Sequence, residues 1–266
     1  ATADLWSPPV NVSENGLYNR WASVFGDSDG WHYSYMQGDQ SNNVTWRMFY
    51  RTQAANGVWG APVQIGNVAR SEESRNARFS DGTHFIVFQG IGSSVPYEFL
   101  YSENSGGGWS TPIYFTPNDA YNDCSTDNER IFDLGSDDTI HLLSQHNNGS
   151  QYNMRYYSKT RTGSIVDHGE VYPSGNYQIN GAVKVTGSGA SERVHFLVAG
   201  GSSVGYWRCY YRRWDNPGWG PLINLTSLLP IDPGGSAAGG IVQLPDGRLV
   251  ACISAKDDNS GGSWDI

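Results

Sequence analysis

The chain has 266 residues, 38% hydrophobic and 13% aromatic, with 17 basic against 26 acidic side chains and a net charge of −9. That balance excludes a nucleic-acid partner, whose affinity would come from Lys and Arg neutralising phosphates, and no run of 18 apolar residues is present to span a membrane. Thirty-three glycines, ten tryptophans, sixteen tyrosines and only 16% charged residues describe short strands and tight turns in a single all-β domain over 1–266.

The first element, Trp6 to Val12, is a Trp followed by two prolines and alternating apolar residues, which suits an outer edge strand. A strand around Ala22 then runs into Ser28, Asp29, Gly30, Trp31 and His32, a hairpin signal. Thr45 to Arg51 supplies the next strand, and Trp59 to Ile65 repeats the opening Trp-Pro pattern. The same series returns three times. A strand at Ala77 leads to a turn at Ser80, Asp81 and Gly82 before His84, then Pro96 to Ser102 and Trp109 to Phe115. A strand at Ile131 leads to Asp137 and Asp138 before His141, then Asn153 to Ser158. A strand at Ala182 leads to Glu192 and Arg193 before His195, then Trp207 to Arg212 and Trp219 to Leu225. The fifth copy has a strand at Ile241, the turn Asp246-Gly247, Val250 in the histidine's place, and ends within Ser263 to Ile266.

Each copy therefore reads as strands A, B, C and D of one antiparallel sheet. Periodic four-stranded units predict a β-propeller of five blades. The last copy lacks a D strand and the chain opens on one, so pairing the two termini would complete blade five and close the ring. The other possibility is an array whose further blades lie outside this sequence.

Cys124, Cys209 and Cys252 lie far apart without C-x-x-C spacing, so they predict buried free thiols rather than a zinc site or disulfide scaffold. N-x-S/T sequons at Asn11, Asn43, Asn148 and Asn224, with a start that suits a mature protein, lead us to expect secretion.

Ser102 to Trp109 resembles the Asp-box turn of sialidase-like propellers, Ser-x-Asp-x-Gly-x-x-Trp, with Asn104 in the place of its aspartate. Asp138 to Asn148, followed by Tyr156, Tyr157 and Ser158, is similar to a blade of the propeller polysaccharide lyases. In that pattern a histidine at the end of strand B belongs to the active site, which implies a role for His146.

Residues that break the repeat are the candidates for chemistry. His32, His84, His141 and His195 recur at one place and are expected to serve structure. Five residues on, strand B ends in Gln37, Gln89, His146, Gly200 and Ala255. Arg20 and Arg75 align ahead of their A strands, with Arg130 one residue later beside Asn128 and Glu129. Three arginines at one axial opening would receive carboxylate or sulfate groups, or else pair with acids such as Glu73, Asp127 or Glu129.

A lyase acting on uronic acids needs a carboxylate neutraliser, a base and an acid. His146 would be the base, Arg130 and Arg75 the neutralisers, a tyrosine the acid, and Arg20, Gln37, Gln89, Asn128, Glu129 and His168 the binding residues. The expected partner is an anionic polysaccharide. A lectin without catalysis and a sialidase-like hydrolase are the alternatives. No cofactor is required, although Asp119, Asp123 and Asp127 could hold calcium.

Overall fold

In the computed structural model the described residues are 12–13, 17–90, 98–116, 121–123, 131–147, 152–172, 177–201, 207–229, 235–256 and 264–265. The Asp-Gly hairpins and the alternating runs around them fold into five antiparallel sheets. Sheet one is β1 (Tyr18–Asp27), β2 (Gly30–Asp39), β3 (Asn42–Ala54) and β4 (Val63–Gln64), in that order. Sheet two is β5 (Glu72–Arg78), β6 (His84–Gly90), β7 (Glu98–Asn104) and β8 (Ile113–Tyr114). In sheet three β9 (Tyr121–Asp123) and β10 (Phe132–Leu134) share the A position beside β11 (Ile140–Asn147), followed by β12 (Tyr152–Lys159) and β13 (Ile165–Glu170). Sheet four is β14 (Tyr177–Thr186), β15 (Arg193–Gly201), β16 (Trp207–Trp214) and β17 (Ile223–Asn224). Sheet five holds β18 (Gly235–Gln243), β19 (Leu249–Lys256) and β20 (Trp264–Asp265).

The A-B-C-D order expected from the repeat is thus observed in sheets one, two and four, with A-B-C in sheet five. The D strands are short because a proline precedes each of β4, β8 and β17 and removes a ladder donor. Trp59, Trp109 and Trp219 open these segments by bridging back to Gln53, Asn104 and Trp214 on strand C. In the turn before Trp109 the Asn104 side-chain oxygen accepts from the Gly106 and Gly108 amides at 2.9 and 3.3 Å. The aspartate-like residue of that turn is therefore satisfied by its own loop.

Alternation along strand B sends one face of each sheet to the sheet before it and the other to the sheet after. Met36 and Met48 of sheet one pack on Ile86, Phe88 and Leu100 of sheet two. The opposite face of sheet two, Phe85, Val87, Phe99 and Tyr101, meets Ile140 and Leu142 of sheet three. Leu143, Met154 and Tyr156 then meet Phe196 and Val198 of sheet four, and Leu197 and Ala199 meet Ile241 of sheet five. Each fully buried Phe in these seams contributes about 2–3 kcal/mol of transfer free energy. The cores lie between sheets, so each sheet depends on its neighbours for burial.

Hairpin length corrects the sequence alignment. In sheet one Asp27 pairs with Gly30, whereas in sheet two the Phe79 amide bonds the Thr83 carbonyl and in sheet three Gly135 bonds Thr139. Gly30, Thr83 and Thr139 are therefore equivalent, and two residues later stand His32, Phe85 and His141. Arg193 pairs Thr186 in the same way and puts His195 in that place. His84 is one residue early and faces the other side of its sheet. The four histidines do not share one position; three do, with Phe85 as the fourth. By the same count Gly90, not Gln89, matches Gln37 and His146.

Of the cysteines, Cys209 is buried as expected, Cys252 is exposed, and Cys124 lies outside the described residues.

Candidate functional site

Two ends of the sheets carry different chemistry. At the A–B hairpin end the shared histidine bonds a strand C tyrosine: His32 Nδ1 lies 2.6 Å from the Tyr50 hydroxyl, His141 Nδ1 2.7 Å from Tyr156, and His195 Nδ1 2.8 Å from Tyr211. In each case the partner is a side-chain hydroxyl of strand C in the same sheet. Their Nε2 atoms meet Asp27 at 3.1 Å, Glu192 at 3.3 Å and the Thr186 hydroxyl at 2.8 Å. The His141–Glu192 contact is close enough for ion pairing but is not aligned as a hydrogen bond. In sheet two Phe85 cannot bond, and Tyr101 turns its hydroxyl to Glu103 instead.

Between sheets three and four this end opens into a cleft of about 490 Å3, lined by His141, Tyr156, Ser158, His168, Glu192 and Trp214 among others. His168 stands in β13, not in a loop. Its Nε2 lies 2.7 Å from the Ser158 hydroxyl, and its ring stacks on Tyr156 at 4.3 Å and 16°. Burial lowers its pKa, with His141 adding to the effect, so the imidazole is neutral near pH 7. The His141 contact holds Glu192 below the usual carboxylate range despite partial burial. An aromatic wall with neutral and anionic groups at its rim suits a sugar. This cleft is what sequence reasoning missed; His168 and Ser158 were its only off-repeat signals.

The other end, where strand B passes to strand C, holds Arg20, Gln37, Arg75, Gln89 and His146 of the predicted site, and three of these face one seam. Arg75 on β5 sits opposite Val87, and Gln89 shares the Val87 side of β6, so both belong to the face that sheet two turns toward sheet three. His146 on β11 shares the side of Ile140 and Leu142, which sheet three turns back toward sheet two. Arg75 donates to the Ser74 carbonyl at 2.6 Å, and Gln89 is buried while His146 is half-buried. The one-residue slip at His84 is what brings Gln89 to this seam.

The remaining candidates separate. Arg20 is exposed, lies over Tyr18 at 5.5 Å, and faces sheet two from sheet one. It pairs opposite Met36, four residues past His32, whereas Arg75 pairs opposite Val87, two past Phe85. The two arginines are thus not equivalent: Arg20 lies seven residues before the end of its A strand at Asp27, and Arg75 only four before the equivalent Phe79. Gln37 lies on the opposite side of its strand from Met36 and donates to Asn19 at 3.4 Å. His168 is at the hairpin end, across β12 from the level of Leu142 and Leu143 in β11, three to four residues or roughly 10–13 Å along that strand from His146. Arg130, Asn128 and Glu129 lie outside the described residues, as do Asp119 and Asp127, while Asp123 is described in its backbone only.

Glu98, at the start of β7, was not anticipated. Its carboxylate is fully buried without a hydrogen-bond partner among the described residues, and burial raises its pKa. It faces sheet one, opposite the Gln89 side.

No family model matches the chain, and no curated protein matches its sequence significantly. Solved structures do match. A protein of unknown function from Dyadobacter fermentans superposes with a TM-score of 0.64 at 12% identity, over 92% of this chain and 76% of that one. An ulvan lyase described as a new polysaccharide lyase family, PL25, gives 0.59 at 11% identity over 90% of this chain. Trypanosoma rangeli sialidase gives 0.57 at 11% identity over 93%. The fold is that of the sialidase-like propellers. The chain spans 64% of the ulvan lyase and 44% of the sialidase, and at such identity the likeness carries fold and not activity. These two neighbours are carbohydrate-active enzymes.

Proposed function

We propose that this protein is a secreted, carbohydrate-active propeller of a single domain that cleaves a uronic-acid polysaccharide by β-elimination at the B–C end of sheets two and three. The observation that carries this reading is that Arg75 and Gln89 of sheet two and His146 of sheet three point into the same seam from its two sides. Arg75, with Arg130, would neutralise the uronate carboxylate and acidify the proton on the carbon beside it. His146 would take that proton as a neutral base. The electron pair then forms a carbon–carbon double bond and expels the glycosidic oxygen, which a tyrosine protonates.

Five blades closed by the chain termini belong to the same proposal. Arg212 of strand C in sheet four donates to the carbonyls of Glu170 and Val171, at the end of the D strand of the sheet before it. Arg51 occupies the same place in sheet one, and its Nη1 donates to the Val12 carbonyl at 2.6 Å. By that parallel Val12 stands where the D strand of the sheet before sheet one would end, and the closed ring would make that sheet five. Trp6 to Asn11 lie outside the described residues.

The test is ultraviolet absorbance on uronate polymers, because elimination leaves a conjugated double bond and hydrolysis does not. Wild-type protein should generate absorbance. His146→Ala should abolish it with little loss of binding, since a base acts mainly in the transition state, while Arg75→Ala should weaken binding as well. Reducing ends without absorbance would move the reaction to a glycosidase. A second reading, a lectin, is favoured by the aromatic cleft of Tyr156, His168 and Trp214. Saturable glycan binding that survives His146→Ala, with no turnover on any anionic polymer, would select it.

A further inference from the structure

Where sheets one and two meet at the hairpin end, Asp27, His32 and His84 bring their ligand atoms within 4.8 Å of one another. Two of these residues depart from the repeat. The place of His84 is held by Trp31, Ile140 and Val194 in sheets one, three and four, and the place of Asp27 by Phe79, Gly135 and Thr186 in sheets two, three and four. Only His32 belongs to the shared His–Tyr pairing. Architecture alone therefore does not account for the trio.

We propose that Asp27, His32 and His84 bind a divalent transition-metal ion of the zinc type, which clips sheet one to sheet two. Two imidazoles and one carboxylate are a common donor set for such ions, with a water completing a tetrahedron. Bonds of about 2.0–2.1 Å would draw the three donors to roughly 3.3 Å of one another, an adjustment of side-chain torsions only. The His32 and His84 rings are already 4.3 Å apart between centroids.

The surroundings fit the ion. The Tyr50 hydroxyl, 2.6 Å from His32 Nδ1, can accept that ring's proton and leave the Nε2 lone pair facing Asp27 and the metal. Arg78 donates to Asp27 Oδ2 at 2.8 Å, which fixes the carboxylate and leaves Oδ1 turned to the two rings. The same guanidinium also pairs with Asp29 at 2.6 Å. Two carboxylates against one guanidinium leave the pocket with a charge of −1 before the ion enters. Burial, helped by His32 and Arg78, lowers the pKa of His84. A cleft of about 430 Å3 beside the trio, which Asp29, Thr52 and Asn104 also line, has room for the water.

An ion held only by the folded state raises stability by mass action. The full chain, stripped with a chelator and dialysed, is titrated with zinc sulfate and with cobalt chloride. We expect one ion per chain by calorimetry, a melting temperature that rises with free zinc, and the visible band of four-coordinate cobalt. His84→Leu places an apolar residue where the other sheets have one, so it should keep the metal-free melting temperature and lose all three signals. Asp27→Asn, which keeps the side chain's shape, should weaken zinc binding at least tenfold and serves if the His84 variant does not fold. A wild-type chain with no stoichiometric zinc binding would overturn the proposal. So would a zinc-dependent rise that persists undiminished in either variant.

Discussion

His195 is the group through which mild acid should attack the fold. Its ring is 6% exposed, between the Tyr211 hydroxyl on Nδ1 and the Thr186 hydroxyl on Nε2, each at 2.8 Å. Burial brings its pKa down to about 4; Arg213 adds to the shift, Asp215 opposes it, and Lys184 and Arg193 contribute smaller repulsions. An unfolded histidine titrates near 6.5, so the unfolded chain binds the proton first. The stabilisation is whole above about pH 6.5 and is lost as pH falls toward 4. At about 1.36 kcal/mol per pH unit, the fall from 6.5 to 5 removes roughly 2 kcal/mol. Two hydroxyls that can reorient to accept, and some water at the rim, reduce that to about 1 kcal/mol. His84 and His168 shift in the same direction, so a variant is needed to isolate the effect. His195→Phe copies Phe85 of sheet two. Melting curves at pH 7.5 and 5 should show the variant losing about 2–4 °C less than wild type. Equal acid losses in the two proteins would refute the reasoning.

Arg51 is buried, bonds the Gly60 carbonyl at 2.7 Å and the Val12 carbonyl at 2.6 Å, and lies 4.8 Å over Trp59. Arg51→Met should therefore cost about 3 kcal/mol in urea unfolding. Deleting residues 1–12 should cost at least as much, and combining the two should add less than their sum; full additivity would separate Arg51 from the N-terminal segment and remove the support for closure. Tyr156→Phe strips the hydroxyl from His141 Nδ1 and should cost about 1–3 kcal/mol while leaving turnover per folded molecule unchanged. A selective loss of turnover would instead move the catalytic centre to the cleft between sheets three and four.

The sheet order was legible because Asp-Gly turns, Trp-Pro edges and aromatic C strands each mark one element of the repeat. Register was not. The Asp-Gly pair sits in a tight hairpin between Asp27 and Gly30 but in a longer turn between Phe79 and Thr83, so matching those dipeptides slips sheet two by one residue. With a period of two, one residue exchanges the faces of a strand. That slip misassigned His84, hid the Asp27–His32–His84 cluster, and matched Gln89 to Gln37 when it belongs to the seam facing His146. Matching the A strands at Ala22 and Ala77 likewise set Arg20 beside Arg75, although Arg20 lies seven residues before Asp27 and Arg75 four before Phe79. Glu98 and Glu192 left no sequence signal, since their interest arises from burial and from a neighbouring sheet.

Within one repetitive chain, a residue that recurs from sheet to sheet answers a need of every sheet, and one that does not answers a need of the whole. The His–Tyr pairs recur at the hairpin end and lock strand B to strand C within each sheet, so replacing them should unfold before it inactivates. At the opposite end the equivalent places hold Gln37, Gly90, His146, Gly200 and Ala255. A structural requirement common to the sheets would not tolerate a glutamine, an imidazole and three small residues in one position. The variation is what a single asymmetric ligand demands of a pseudo-symmetric scaffold: one base, room beside it, and a cation on the facing sheet. On the proposed reading His146 and Arg75 would meet that demand across the seam of sheets two and three, so replacing His146 should cost turnover and replacing Arg75 turnover and binding, with the melting temperature nearly unchanged in both.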